Sequence, residues 1–152
     1  MKVKNAFNKK VGYITSNATL LDAAKFIFGH NHKGIPVVNT SKKIIGFITE
    51  QDIMSQMFPK AADLMEDYIH ERDFEAMESN LKNILIQKVK NVMTKKPITI
   101  HIDDPLLKAE SIMKLHDISR LPVIDDKGVL IGIISKGDIF RRLISRKVRG
   151  FK

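Results

Sequence analysis

The 152-residue chain contains no cysteine and no tryptophan, and only two tyrosines. Without cysteine there can be no disulfide, no thiolate nucleophile and no Cys-ligated zinc, which fits a reducing compartment. With aromatic residues at 7%, platforms on which nucleic-acid bases could stack are scarce. No apolar run approaches the roughly 20 residues that span a bilayer. The opening stretch MKVKNAFNKK carries lysines with no apolar segment behind them, so it does not read as a secretory signal. There is no Walker-type loop, no GxGxxG and no HExxH. His30, His32, His70, His101 and His116 form no metal-binding signature, and no serine triad finds support. The expectation is a soluble cytoplasmic protein with no catalytic activity, metal, cofactor or membrane association.

What is present in excess is positive charge, +9 overall. Residues 60–88 nevertheless carry seven acids against four bases, and six bases crowd into the last twelve residues, RRLISRKVRGFK. That is a basic tail on a mixed surface rather than a groove lined by cations and aromatics, so specific nucleic-acid recognition is disfavoured. The acid pairs Asp103-Asp104 and Asp125-Asp126 fall in turn sequences, where aspartate is a good turn or cap former.

The chain is also a repeat. Shifting it by 86 positions sets VKNAFNKKVGYI (3–14) over VKNVMTKKPITI (89–100), GIPVVN over RLPVID, and IIGFITEQDI over LIGIISKGDI. Across positions 3–58 there are 17 identities in 56 without a gap, which is duplication. Each copy reads strand, helix, strand, strand, helix. Short strands are expected near 11–14 and 97–102, and a helix near 20–31 is opened by Thr19 with Asp22 in a capping box. Its second copy is opened by Asp104 as N-cap with Pro105 at the first helical position. Two apolar strands follow in each copy, and last helices start near 50 and 136. This is an α/β (α+β) pattern whose two small sheets would pack on each other about a pseudo-twofold axis. The organisation is 1–58 for repeat one, 59–88 for a helical connector, 89–144 for repeat two and 145–152 for the basic tail. In the connector Met77, Leu81, Ile84 and Leu85 fall at helical spacing, for packing on the body or on another subunit.

The most informative device is Gly-apolar-apolar-Thr/Ser-x-x-Asp: GFITEQD at 46–52 and GIISKGD at 132–138. Thr49 and Ser135 sit where a strand ends and a helix begins, where unpaired N–H groups and the helix dipole favour phosphate. Asp52 and Asp138, one turn on, could accept from two ribose hydroxyls. Gly46 and Gly132 would let a flat ring approach the strand. A second reading needs no ligand: the same residues make a capping box. Spacing leaves both open.

The duplicated pattern resembles a tandem pair of CBS domains, a Bateman module, over residues 3–58 and 89–144. The resemblance implies adenosyl ligands bound in clefts between the repeats, with Asp52 and Asp138 on ribose and Thr49 and Ser135 on phosphate. It places Arg120 as a phosphate-binding base, where repeat one has Gly34 with Lys33 adjacent. Adenine would rest on Gly12, Ile98, Gly34, Ile35, Pro36, Leu121, Pro122 and Ile133. On that view the Asp138 site holds phosphate better, and the Asp52 site has Ile98 as its apolar seat. The implied protein is a homodimeric regulatory sensor of AMP, ADP, ATP or S-adenosylmethionine type ligands that signals to an unknown partner. The rival is an adaptor with purely structural repeats whose tail contacts nucleic acid or an acidic partner.

Overall fold

The computed structural model of the chain describes residues 1–30, 32–58 and 74–147. The connector's residues 59–73 and the tail's 148–152 lie outside them. A 3-10 turn at Val3–Asn5 leads to β1 (Ile14–Thr15), α1 (Leu20–Gly29), β2 (Gly34–Val38), β3 (Ile44–Thr49) and α2 (Glu50–Met57). The connector contributes α3 (Phe74–Ser79) and α4 (Leu81–Leu85). A second 3-10 turn at Val89–Asn91 leads to β4 (Ile100–His101), α5 (Leu106–Leu115), β5 (Arg120–Ile124), β6 (Leu130–Ser135) and α6 (Lys136–Lys147). The fold is α+β, with two three-stranded sheets ordered β1-β2-β3 and β4-β5-β6. In the second sheet β4 runs parallel to β5, and β5 runs antiparallel to β6.

Local chemistry explains most of these boundaries. Thr19 Oγ1 accepts from Asp22 N at 3.2 Å and Asp22 Oδ2 accepts from Thr19 N at 3.0 Å, the expected reciprocal cap of α1. The second copy departs from expectation. Pro105 itself is the N-cap of α5 and makes no side-chain cap bond, because its ring carries no acceptor. Asp104 turns back instead, its Oδ2 accepting from His101 N at 3.1 Å while Oδ1 takes Lys108 Nζ at 2.9 Å. Asp125 closes the β5–β6 turn by accepting from Lys127 N and Val129 N, with Gly128 at φ 77°. In the connector the helical run breaks at Asn80, and Ile84 and Leu85 pack on an apolar cluster around Leu20 and Ile27. Among the described residues no helix is long and apolar enough to cross a membrane.

The chain divides into two compact units that do not follow the repeat boundaries. One comprises Met1–Gly12, Val38–Ile44 and the chain from Pro97, the other Tyr13–Val37 and Ile45–Lys96. The cause is the leader that precedes each repeat. In the first unit Val3 N donates to Asp104 O at 2.9 Å, and Leu106 N donates to Met1 O at 2.9 Å. Asn8 there exchanges two backbone bonds with Ile133 on β6, at 2.8 and 2.9 Å. Val3 is fully buried among Ile100, Leu106, Met113, Leu121, Val123, Ile134 and Ile139. The second unit repeats the device, with Val89 N donating to Ala18 O at 2.8 Å and Thr94 exchanging bonds with Phe47 at 3.0 and 2.9 Å. Val89 is buried there with Leu20, Ala23, Ile27, Ile35, Val37, Ile48 and Ile53. The opening strands are two residues each, shorter than the sequence suggested.

The motif glycines follow from the same arrangement and correct the sequence expectation. A Cβ on Gly132 would meet the Phe7 ring and Asn8 O, and one on Gly46 would meet Met93 and Thr94 O. The close approach at both strands is made by the chain's own leader, not by a ligand ring. Gly132→Ala should therefore destabilise by about 1–3 kcal/mol through overpacking, whereas Gly29→Ala, with nothing within 4 Å of the new methyl, should be neutral or mildly stabilising. Urea unfolding of both variants measures this. Equal effects would show that the leader does not depend on the glycine.

Candidate ligand-binding sites

β6 ends at Ser135 and α6 begins at the next residue. Ser135 N donates to Asp138 Oδ2 at 2.9 Å, Ser135 Oγ donates to the same oxygen at 2.8 Å, and Asp138 N donates to Ser135 Oγ at 3.1 Å. The other carboxylate oxygen, Oδ1, accepts from Arg141 Nη2 at 2.7 Å, one turn along the helix. Burial opposes ionisation of Asp138, but the Ser135 hydroxyl and amide and the Arg141 guanidinium together outweigh it and hold the carboxyl below its ordinary value.

The first repeat has the same core and a different periphery. Thr49 N donates to Asp52 Oδ2 at 2.9 Å and Asp52 N donates to Thr49 Oγ1 at 3.1 Å, a capping box at the start of α2. The residue equivalent to Arg141 is Ser55, whose hydroxyl donates to Asp52 O on the main chain at 2.9 Å. Ser55 therefore does not reach the Asp52 carboxylate as Arg141 reaches that of Asp138. Both hydroxyl–acid pairs are thus caps. At Asp52 the cap engages Oδ2.

The sheet register sets which expected residues share a face. Arg120 lies opposite Ser135 and Pro122 opposite Ile133, while Leu121 lies opposite Ile134. Side chains alternate along a strand, so Arg120, Pro122, Ile133 and Ser135 fall on one face and Leu121 on the other. Leu121 and its counterpart Ile35 are fully buried in their clusters, so either could reach a ligand by its backbone alone. Pro36 is buried as well, and Gly34 is half-buried. Main-chain bonds tie each pre-strand residue to a helix start: Glu50 N donates to Lys33 O at 2.8 Å, and Lys136 N to Ser119 O at 3.0 Å. Lys33 and Gly34 thereby join Thr49 and Asp52 in one unit. Arg120 joins Ser135 and Asp138 in the other, which also contains Gly12 and Ile98, both exposed.

Three features escaped the sequence reading: Arg141 on Asp138, Phe47 over Gly34, and the contrast between Glu50 and Lys136. Each stands at a repeat-equivalent position, so the 86-residue offset was the signal that could have found them. His30 Nδ1 lies 3.0 Å from Phe26 O at the end of α1, and the His32 ring stacks on those of Phe26 and His30. His70 lies outside the described residues. No group of three or more metal-ligating side chains occurs among the described residues.

The chain belongs to the CBS domain family, whose model matches residues 3–59 and again 89–145. It is 33% identical over 155 residues to an uncharacterized protein of Methanocaldococcus jannaschii, covering 95% of this chain and 92% of that one. Some relatives are much longer. A homoserine O-acetyltransferase of Methanococcus vannielii is 33% identical over 137 residues, which span 90% of this chain but 24% of the enzyme. Among solved structures, the CBS domain pair of protein MJ0100, in complex with 5′-methylthioadenosine and S-adenosyl-L-methionine, is similar with a TM-score of 0.64. It is 28% identical, over 97% of this chain and 98% of that one. CBSX2 in complex with AMP has the same fold at a TM-score of 0.71 and 19% identity, over 97% and 98% of the two chains.

The lowered Asp138 value has a consequence for stability. A carboxyl that ionises more readily folded than unfolded stabilises fully above the unfolded range near pH 4, and loses that contribution as pH falls through the folded value. Asp138→Asn should be less stable than the parent at neutral pH, and the gap should close on acidification below about pH 4. Urea midpoints across that range provide the measurement. A constant gap would mean that the carboxylate charge is not what Ser135 and Arg141 hold.

Proposed function

We propose that the chain is a cytoplasmic, non-catalytic regulatory module that binds adenosine-containing ligands, with Asp52 and Asp138 accepting from ribose hydroxyls. Thr49 and Ser135, with the helix N-termini behind them, face the phosphate side, and Arg120 supplies a cation for it. The observation that carries the reading is the duplicated hydroxyl–carboxylate pair at a strand-to-helix junction, in a family whose MJ0100 and CBSX2 members have been solved with adenosyl compounds. Occupancy would bias one conformation of the module over another and so report to a partner protein. Pro36 and Pro122 supply backbone and ring surface beside the adenine, as do Gly12, Ile98 and Ile133.

A thermal-shift panel of AMP, ADP, ATP, S-adenosylmethionine and NAD tests the class, since a ligand selective for the folded state raises the melting temperature. At least one adenosyl compound should do so, and Asp52→Ala with Asp138→Ala should abolish the shift while leaving the protein folded. Calorimetric affinity unchanged in the double variant would return both acids to capping alone. If no compound binds, and nucleic-acid retention is lost on deleting residues 141–152, the adaptor reading replaces this one.

Assembly is the second part of the proposal. Leu21 and its repeat equivalent Leu107 are exposed, as are Met54 and its equivalent Phe140, together with Phe28 and Leu115. Apolar surface presented at equivalent positions of both repeats suits a homodimer. Light scattering at micromolar concentration should give a mass twice 17.3 kDa, and a monomer mass would refute it.

A further inference from the structure

The two motif sites differ at a set of equivalent positions, and the differences run in one direction. At the Asp138 site the neighbours are Arg120, Lys136 and Arg141, three bases against one acid. At the Asp52 site the equivalent residues are Gly34, Glu50 and Ser55, with Lys33 adjacent, so that one base faces two acids. The local balance shifts from +2 to −1 between copies of the same device.

Geometry makes the difference more than a tally. A Cβ on Gly34 would lie 2.5 Å from Phe47 Cε1 and 3.0 Å from Ile48 O. The half-buried Phe47 ring therefore fills the space that a side chain at position 34 would need. In repeat two the Phe47 position is Ile133, and Arg120 stands opposite Ser135 at the position of Gly34. Glu50 begins α2 directly beside Thr49, and its carboxylate already answers the positive end of that helix. Lys136 begins α6 in the same place and reinforces it instead. An incoming phosphate at the first site would meet an aromatic edge and an acid. At the second it would meet three cations, one of them, Arg141, now paired with Asp138 Oδ1.

We propose that the two repeats select adenosyl ligands of opposite 5′ character. The Ser135/Asp138 site takes a 5′-phosphorylated adenosine, and the Thr49/Asp52 site takes an adenosine whose 5′ substituent is uncharged or cationic. The proposal rests on the adenosyl reading above and adds which ligand each copy accepts. Phe47 and Glu50 are its specificity-determining residues on one side, Arg120 and Arg141 on the other. The module would then read the ratio of two metabolite classes rather than the level of one.

Adenosine and AMP, which differ only in the phosphate, are the probes. Asp138→Ala leaves the Asp52 site, Asp52→Ala leaves the Asp138 site, and calorimetry at low salt measures both ligands on each. With the Asp138 site alone, AMP should bind at least tenfold tighter than adenosine. With the Asp52 site alone, the order should reverse by threefold or more. In that second background Glu50→Lys, at a half-buried position outside the Thr49–Asp52 cap, should strengthen AMP at least threefold and leave adenosine unchanged. The same preference at both sites, or no response to Glu50→Lys, would overturn the selectivity and leave the adenosyl reading standing. Parent protein that binds neither compound would overturn the selectivity, and the adenosyl reading would fall with it only if no member of the thermal-shift panel binds either.

Discussion

Everything in this molecule depends on the exchange of leaders. Val3 and Phe7 complete the apolar cluster built from the second repeat, and Val89 and Met93 complete the one built from the first. A fully buried valine contributes roughly 1.5–3 kcal/mol, a large fraction of the net stability of a small domain. A repeat of some 55 residues is near the lower size limit for an independent core. Borrowing a leader removes that limit and makes neither copy self-sufficient. The motif glycines belong to this constraint: they clear the sheet for Phe7 and Met93 before any ligand is considered.

The hydroxyl and carboxylate of the motif answer two demands at once. A capping box satisfies orphan N–H groups where a strand feeds a helix, and replacing the cap costs about 1 kcal/mol. It also holds the carboxylate in one rotamer, with Asp52 and Asp138 each bonded through Oδ2 to the amide three residues back. A ribose-binding acid needs the same fixity. Capping and the proposed ligand binding are therefore compatible, since the cap would preorganise the acid.

The duplication, the order of elements and the cap of α1 were legible because each is written in local spacing: the 86-residue offset, the period-2 and period-3.6 apolar patterns, and Thr19 with Asp22. The exchange of leaders was less legible, because nothing in VKNAFN says which repeat's strand Asn8 will pair with. The glycines were misread for that reason: position 132 requires a missing side chain, but only the fold shows that Phe7 requires it. Asp104 was misplaced because a cap-plus-proline pattern also fits an acid that closes the preceding turn. At the site, Thr49, Asp52, Ser135 and Asp138 could be named from sequence, while Arg141's grip on Asp138 and Phe47's cover over Gly34 depend on rotamers and packing. Ile35 and Leu121 could be placed on strands from sequence, while their burial in the two apolar clusters is set by the fold.

The positions that the fold holds fixed are those the two repeats share. Gly46 and Gly132 answer to the leaders, Asp52 and Asp138 to the caps, and Ile53 and Ile139 are buried in their clusters. The positions where the copies differ in charge, 50 against 136 and 55 against 141, lie at the helix starts with their side chains toward solvent or half-buried. Substitutions at 55 and 136, both exposed, change stability little, whereas 50 and 141 also serve a helix start and the Asp138 carboxylate. Gly34 and Phe47 are the exception, since their sizes are coupled: a side chain can enter at 34 only if the ring at 47 shrinks, as the Arg120 and Ile133 pair does in the other copy. A duplicated scaffold under these constraints can change the charged residues around one motif without changing those around the other, because each set belongs to its own compact unit.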